Sequence, residues 1–241
     1  MDRWSEVDER ELGWLVDVCG QEVTGFGPPP YPAGLWILHA MYEAETEALA
    51  AHRRAQDEDE ADKSGWPADP GPGWRRLRWH ELAERTGDPL VAQHVAPQYR
   101  VPSFRAFPSV RQGDGLWETI RWPDWGSLDR ESFRCLADIL QRFSGPDLVA
   151  YAHPAFLRDP QASPRVFRGH LRDLEALEQL DVHYGPANIW PVDRSWLVYT
   201  DWDLSGTKVY GPPELLTMIE EDEFLETVWL PLPGDASNAT V

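Results

Sequence analysis

Short segments with the patterns of strands and helices alternate along the last third of the chain. They are separated by turns rich in Gly, Pro, Ser and Asp, so none of them can be long. The predicted strands are Leu148–Ala152, Val166–Arg168, Trp196–Thr200, Thr207–Tyr210 and Glu226–Leu230, and the predicted helices are Leu171–Leu180 and Pro212–Glu221. This order favours the α+β class, with a mixed, largely antiparallel sheet and helices packed on it.

Two further helices are predicted near the N-terminus. Ser5 followed by Asp8 resembles a capping box, and the apolar residues after it recur at helical spacing, so a helix is expected over about 5–19. After a run of prolines, a second periodic stretch that contains Leu35 predicts a helix that continues to about Arg54.

The middle of the chain contains one well-marked helix and two shorter elements. The basic, aromatic stretch from Trp74 predicts a short helix that ends near Gly87. The alternating segment Trp117–Trp122 predicts a strand. Asp129 is a suitable N-cap for a helix with an apolar face that continues to Phe143.

Length and local composition predict one domain with two poorly ordered segments. The 241 residues, 42% of them hydrophobic, are enough for one sizeable core. An acidic run followed by Pro and Gly predicts a flexible loop at about 57–73. The domain is expected to cover residues 1–234, and residues 235–241 are expected to form a disordered tail.

The charge balance limits the partners of the chain. The 41 acidic and 22 basic residues give a formal net charge of −19. Such a charge repels nucleic acids and anionic membranes, and it favours a basic protein partner. With no leader-like segment, no membrane-spanning stretch and two cysteines without a disulfide pattern, a cytoplasmic location is expected. The alternative is that the carboxylates only keep a Trp-rich surface soluble.

Motifs for cofactors, metals and nucleophilic catalysis are not found. The histidines lack zinc-ligand spacing, and no Rossmann fingerprint, P-loop or nucleophile elbow occurs. Cys135 lies by an apolar helix face, where a thiol is normally inert. No catalytic residue, cofactor or metal is therefore expected.

Asp201 and Asp203 support one alternative to this expectation. They follow an apolar strand, and two carboxylates at a strand end can bind Mg²⁺. The segment resembles the first motif of haloacid-dehalogenase phosphatases, which implies a nucleophilic Asp and an acid/base Asp. Only 38 residues follow Asp203, which is too few for the rest of that fold, so an acidic hairpin turn is the favoured interpretation.

A longer segment carries another resemblance. Residues 188–209, with Trp-Pro-Val-Asp-Arg-Ser-Trp and Thr-Asp-Trp-Asp-Leu-Ser-Gly-Thr-Lys-Val, resemble a family of actinobacterial proteins, and residues 31–42 are similar to the N-terminal region of that family. This resemblance implies no catalytic residues. In general character the chain also resembles immunity proteins, which neutralise bacterial toxins, and that likeness implies a non-catalytic protein-binding function.

One segment combines aromatic anchors with acidic charge and is the predicted partner-binding patch. Its residues are Trp190, Asp193, Trp196, Asp201, Trp202 and Asp203. The alternative is that the tryptophans belong to the core and that Asp193 caps a turn. Three functions follow from these patterns: an immunity-type binding protein, a metal-dependent hydrolase that uses Asp201 and Asp203, and a scaffold or regulatory subunit of a larger assembly.

Overall fold

A computed structural model gives the fold of the chain in nine described stretches. These are residues 4–15, 31–46, 70–90, 107–111, 115–124, 126–154, 165–179, 186–200 and 204–230. Within them the chain has an α+β fold with two sheets, and every strand pairing is antiparallel. The predicted fold class is therefore confirmed. Most of the expected 57–73 loop and all of the expected 235–241 tail lie outside the described residues.

The larger sheet has eight strands and contains most of the C-terminal third. Its strands are β1 (Trp4–Val7), β2 (Ala33–Leu38), β6 (Val149–Pro154), β7 (Val166–His170), β8 (Pro186–Pro191), β9 (Leu197–Tyr199), β10 (Gly206–Gly211) and β11 (Thr227–Trp229). Their spatial order is β1-β7-β6-β8-β9-β10-β2-β11, so β1 and β11 form the two edges. The strands predicted in this third are confirmed, with small shifts of their ends.

The smaller sheet has three strands and lies beside the first helix. Its strands are β3 (Met41–Ala44), β4 (Trp74–Leu77) and β5 (Ile120–Arg121), in the order β4-β3-β5. Helix α1 (Trp79–Thr86) follows β4 and ends at Gly87, where a φ of 75° is the left-handed geometry that glycine adopts most easily. The predicted end of this helix is therefore confirmed.

Three more α-helices lie further along the described stretches. Helix α2 (Gly115–Thr119) precedes β5, α3 (Arg130–Ser144) follows it, and α4 (Pro213–Glu220) lies between β10 and β11. The Asp129 side chain accepts a hydrogen bond from the Ser132 N–H, which is the expected cap of α3. The predicted helix after residue 171 is a 3-10 segment, Leu171–Gln179, which is interrupted by a kink.

The N-terminal helices predicted from apolar spacing are wrong over most of their described residues. Residues 4–7 form strand β1, and Asp8 caps a short 3-10 helix, Glu9–Leu12. Residues 13–15 are α-helical, and the remainder of the predicted helix, 16–19, lies outside the described residues. The described part of the second predicted helix forms β2 and β3 instead, and its last residues, 47–54, lie outside the described residues. Residues 35–38 are all buried because both faces of β2 are covered, and a strand of this kind lacks the polar alternation that identifies strands.

The strand predicted over Trp117–Trp122 is also largely wrong. Its first half lies in helix α2, and only Ile120 and Arg121 pair with β3. The stretch from Trp74 contains strand β4 before helix α1 begins. A strand of two residues is too short to be recognised by its pattern.

The large sheet separates two hydrophobic cores. Helices α3 and α4 and the Leu171–Gln179 segment pack on one face, against residues such as Ile37, Val198 and Val209. The smaller sheet and α1 pack near the other face, against Trp36, Trp190 and other residues. A polar contact joins the start of α1 to the residue before β11: the Glu226 carboxylate accepts hydrogen bonds from the backbone N–H groups of Trp79 and His80 at 2.8 Å each.

Candidate functional site

The two tryptophans of the predicted patch lie in different cores. Trp190 is 1% exposed, packs edge-on against Trp14 and stacks on Tyr151 on one side of the large sheet. Trp196 is fully buried on the other side, where its indole N–H donates to the Ser144 hydroxyl at 2.9 Å. Neither indole reaches the surface in this structure, so the two side chains stabilise the interior.

Asp193 lies in the exposed turn between β8 and β9. Its carboxylate accepts a hydrogen bond from the backbone N–H of Ser195 at 3.0 Å, which is the geometry of an Asx turn. The neighbouring Arg194 has a positive φ of 57°, and Val192 in the same turn is exposed. The structure therefore separates Asp193 from the two indoles. Asp201, Trp202 and Asp203 lie outside the described residues.

The described residues contain no group that resembles a metal site. Nowhere in these stretches do three or more His, Cys, Asp or Glu side chains converge in a way that could hold an ion. The hydrolase alternative depends on Asp201 and Asp203, and the structure does not describe that pair.

His39 is a fixed, neutral imidazole. Its Nδ1 lies 2.8 Å from the carbonyl oxygen of Asp124, and its Nε2 lies 3.0 Å from the hydroxyl of Thr207. A carbonyl can only accept, so Nδ1 carries the proton and Nε2 accepts from Thr207. Burial lowers the pKa of His39 to about 4. Both ring nitrogens therefore serve to join β2 and β10 to the loop before α3.

Cys135 is a half-buried thiol held by a hydrogen bond. Its Sγ donates to the Asp222 carboxylate at 3.0 Å, which links α3 to the turn after α4. Burial, together with this hydrogen bond to a negative group, raises the pKa of Cys135 to about 12. The thiolate that nucleophilic chemistry requires is thus disfavoured at neutral pH, as the sequence predicts.

A row of side chains with a buried charge crosses the Trp190 face of the large sheet. Trp36, Lys208, Tyr199 and Asn188 stand opposite one another on four consecutive strands. The Lys208 ammonium is only slightly exposed and lies 4.8 Å from the Trp36 ring and 5.8 Å from the Tyr199 ring. Cation–π attraction stabilises a buried ammonium in such surroundings. This row belongs to the interior of the fold.

The charges around the smaller sheet largely neutralise one another. Arg75 binds Glu81 at 2.7 Å, and Arg85 binds Glu43 at 2.7 Å. Arg75 also contacts Glu43, and Arg85 contacts Glu81, so the four side chains form one network. A network with equal numbers of positive and negative groups gives a weak net field.

The C-terminal part of the structure contains an exposed aromatic ring in a segment rich in carboxylates. Trp229, on the edge strand β11, is 37% exposed, and its indole N–H donates to Glu220 at 2.6 Å. Residues 213–230, which we call the acidic edge, contain no Lys, Arg or His. Their acidic residues are Glu214, Glu220, Glu221, Asp222, Glu223 and Glu226. All of these except Asp222 and Glu226 are exposed.

The acidic edge was missed by the sequence reasoning, although a signal was present. A segment with six carboxylates and no cation is visible in the sequence, but the strand over Glu226–Leu230 gives no sign of lying at an edge. Trp229 is one of two large hydrophobic side chains found exposed in the described residues, and Val192 is the other. Exposed aromatics are common anchors of protein interfaces.

Comparisons with protein-family models, with curated proteins and with solved structures found no match to this chain. The helices in the described stretches are all too short or too polar to cross a bilayer. A functional assignment therefore depends on the chemistry of the surface.

Proposed function

We propose that this chain is a non-catalytic protein-binding protein that receives a basic protein partner. One observation carries the proposal: Trp229 is exposed beside the exposed carboxylates Glu220 and Glu221. The basic residues Arg78 and His80, at the start of α1, contact this segment further along, at the Glu226 carboxylate and the backbone carbonyls of Glu223 and Leu225. A desolvated aromatic anchor supplies affinity, and surrounding charge of one sign accelerates association with a partner of opposite sign. The net charge of −19 extends the same attraction to longer range.

The finer proposal is an immunity protein that neutralises a toxin. Acidic character and an aromatic anchor suit the neutralisation of a basic enzyme, whose substrate is often an anion. A cytoplasmic location belongs to this proposal, and the free thiol of Cys135 is compatible with a reducing compartment.

The test of the binding function compares charge at the acidic edge with charge elsewhere. Tagged wild-type chain, Glu221→Lys/Glu223→Lys and the control Glu84→Lys/Asp138→Lys are used to capture partners from the native cell. All four carboxylate side chains are exposed, and the two variants have the same net charge. We expect one basic protein to bind the wild type and the control but not the edge variant.

The association rate of the purified complex should fall as NaCl is raised, because screening shortens the range of the attraction. Equal capture by both double variants, or a rate that does not depend on salt, would count against the proposal. The immunity function is tested separately by deleting the gene, which should expose the cell to the captured protein as a toxin. Normal growth in the presence of that protein would contradict the immunity function alone.

A further inference from the structure

Among the described strands, β11 is the last one on its side of the large sheet, and its outer side pairs with none of them. Val228 stands opposite Trp36, and ladder bonds join Leu38 N–H to Glu226 C=O and Leu230 N–H to Gly34 C=O. In an antiparallel ladder the bonded residues alternate, so residues 226, 228 and 230 face β2. The N–H and C=O groups of Thr227 and Trp229 therefore point away from the sheet, and they have no hydrogen-bond partner among the described residues.

The other edge of the large sheet differs in its chemistry. Strand β1 carries Glu6, which forms an ion pair at 2.9 Å with Arg165, the residue just before the neighbouring strand β7. Charged side chains of this kind discourage the addition of another strand. The residues of β11 are Thr, Val and Trp, so this strand lacks such a charge of its own. The open edge that can accept a strand is thus the one beside the acidic residues.

The surroundings of β11 select the chemistry of an added strand. On the Trp229 side of the sheet, the end of α4 places the Glu220 carboxylate against the indole, and Glu221 follows at the surface. Lysine or arginine side chains beside Thr227 and Trp229 would meet these carboxylates and the face of the indole. A second copy of this chain would bring the same carboxylates together, and like charges oppose that pairing.

We infer that β11 binds an extended, Lys- or Arg-containing segment of the partner by antiparallel strand addition. This inference rests on the proposed function and specifies how the partner is held. Main-chain hydrogen bonds to Thr227 and Trp229 supply part of the affinity, and alternate basic side chains on the Trp229 face supply the specificity. In an antiparallel pair the residue opposite Trp229 has its side chain on the same face and its N–H directed at β11.

The probe is the capped peptide acetyl-Lys-Val-Lys-Val-Lys-Val-amide, with binding followed by calorimetry and by residue-resolved amide hydrogen exchange. With its lysines on the Trp229 face, the lysine N–H groups face β11. Methylation of the lysine backbone nitrogens should weaken binding at least about tenfold, whereas methylation of the valine nitrogens should change it by less than about threefold. In the free chain the Val228 amide should exchange slowly and those of Thr227 and Trp229 rapidly. The peptide should protect the latter two.

Two protein variants complete the test. Trp229→Ala should weaken peptide binding at least about tenfold. Val192→Ala is the control, since it removes the other exposed hydrophobic side chain, in the β8–β9 turn, and should leave binding unchanged. The two variants should unfold at similar urea concentrations.

The possible negative results distinguish strand addition at β11 from the proposed binding function. Strand addition would be overturned if both methylated peptides bound equally well, or if Thr227 and Trp229 gained no protection. If that binding still depended on salt, the proposed function would remain supported. The Thr227 and Trp229 amides could instead be protected in the free chain and lose that protection on dilution. This result would show that a second copy of the chain pairs with β11, and it would also overturn the inference. Failure of wild-type chain to bind the unmodified peptide at millimolar concentration would count against both.

Discussion

The carboxylate of Glu226 provides the sharpest test of how α1 is held against the large sheet. Arg78, at the N-cap position of α1, makes no side-chain capping bond, and Glu226 supplies the missing acceptor from a distant part of the chain. Its side chain is 7% exposed and also lies 2.6 Å from Nδ1 of His80. We therefore expect Glu226→Ala to destabilise the fold far more than replacement of a neighbouring surface carboxylate.

The magnitude follows from the groups that the substitution leaves behind. The Trp79 N–H is buried and the His80 N–H is partly buried, so the loss of their acceptor costs about 1–3 kcal/mol for the first and less for the second. The lost attraction between a carboxylate and the helix N-terminus adds about 0.3–1 kcal/mol. The sum is about 3 kcal/mol in the free energy of unfolding. For a chain of this size it lowers Tm by about 6–12 °C.

The assay is urea unfolding of the wild type, Glu226→Ala, Glu226→Gln and the control Glu223→Ala. Glu223 is exposed and lies in the same turn, so its replacement should change the free energy of unfolding by less than about 0.5 kcal/mol. Glu226→Gln keeps one acceptor oxygen but loses the charge, and should lie between the two. Equal unfolding midpoints for Glu226→Ala and Glu223→Ala would refute the capping role.

Three further predictions concern buried groups and a helix end. The pKa of His39 is lowered from 6.5 to about 4, so the unfolded chain takes up the proton at a higher pH than the folded chain. The free energy of unfolding should therefore fall as the pH drops from 6.5 to 4, and His39→Gln should flatten that dependence in urea titrations. Because the pKa of Cys135 is raised from 9.0 to about 12, the free energy of unfolding should fall as the pH rises above 9. At pH 8 the thiol of the native chain should react with iodoacetamide more slowly than the thiol of the urea-unfolded chain. Gly87→Ala should cost about 1 kcal/mol in the same unfolding assay because φ is positive there, whereas Gly115→Ala, at the start of α2 and with no atom within 4 Å of its new Cβ, should cost almost nothing.

Local signals in the sequence are sufficient for some elements of the fold. Helix α3 has a capping Asp129, an apolar face and a terminating Gly145, and all three act within the helix or directly beside it. The predicted end of α1 at Gly87 depends in the same way on one left-handed residue. These elements were predictable because their determinants are near in sequence.

The elements that were mispredicted depend on distant partners. Strand β2 pairs with β10 and β11, which lie more than 160 residues further along the chain, and both of its faces are buried. Its apolar run is therefore compatible with a helix until those partners are known. The exposure of the candidate binding residues also depends on distant strand partners. Trp190 and Trp229 are both tryptophans on strands, but the strand order places one in the interior and the other at an edge.

A residue-resolved map of the interface is the most direct test that the partner binds at the acidic edge. Isotopically labelled chain is titrated with the basic protein captured from the native cell, and backbone amide shifts are followed by NMR. If the partner binds along β11, the largest changes are expected at residues 227–230 and at the adjoining end of α4, with smaller changes at higher salt. Changes centred on the Val192–Ser195 turn, with residues 227–230 unaffected, would contradict binding at the acidic edge.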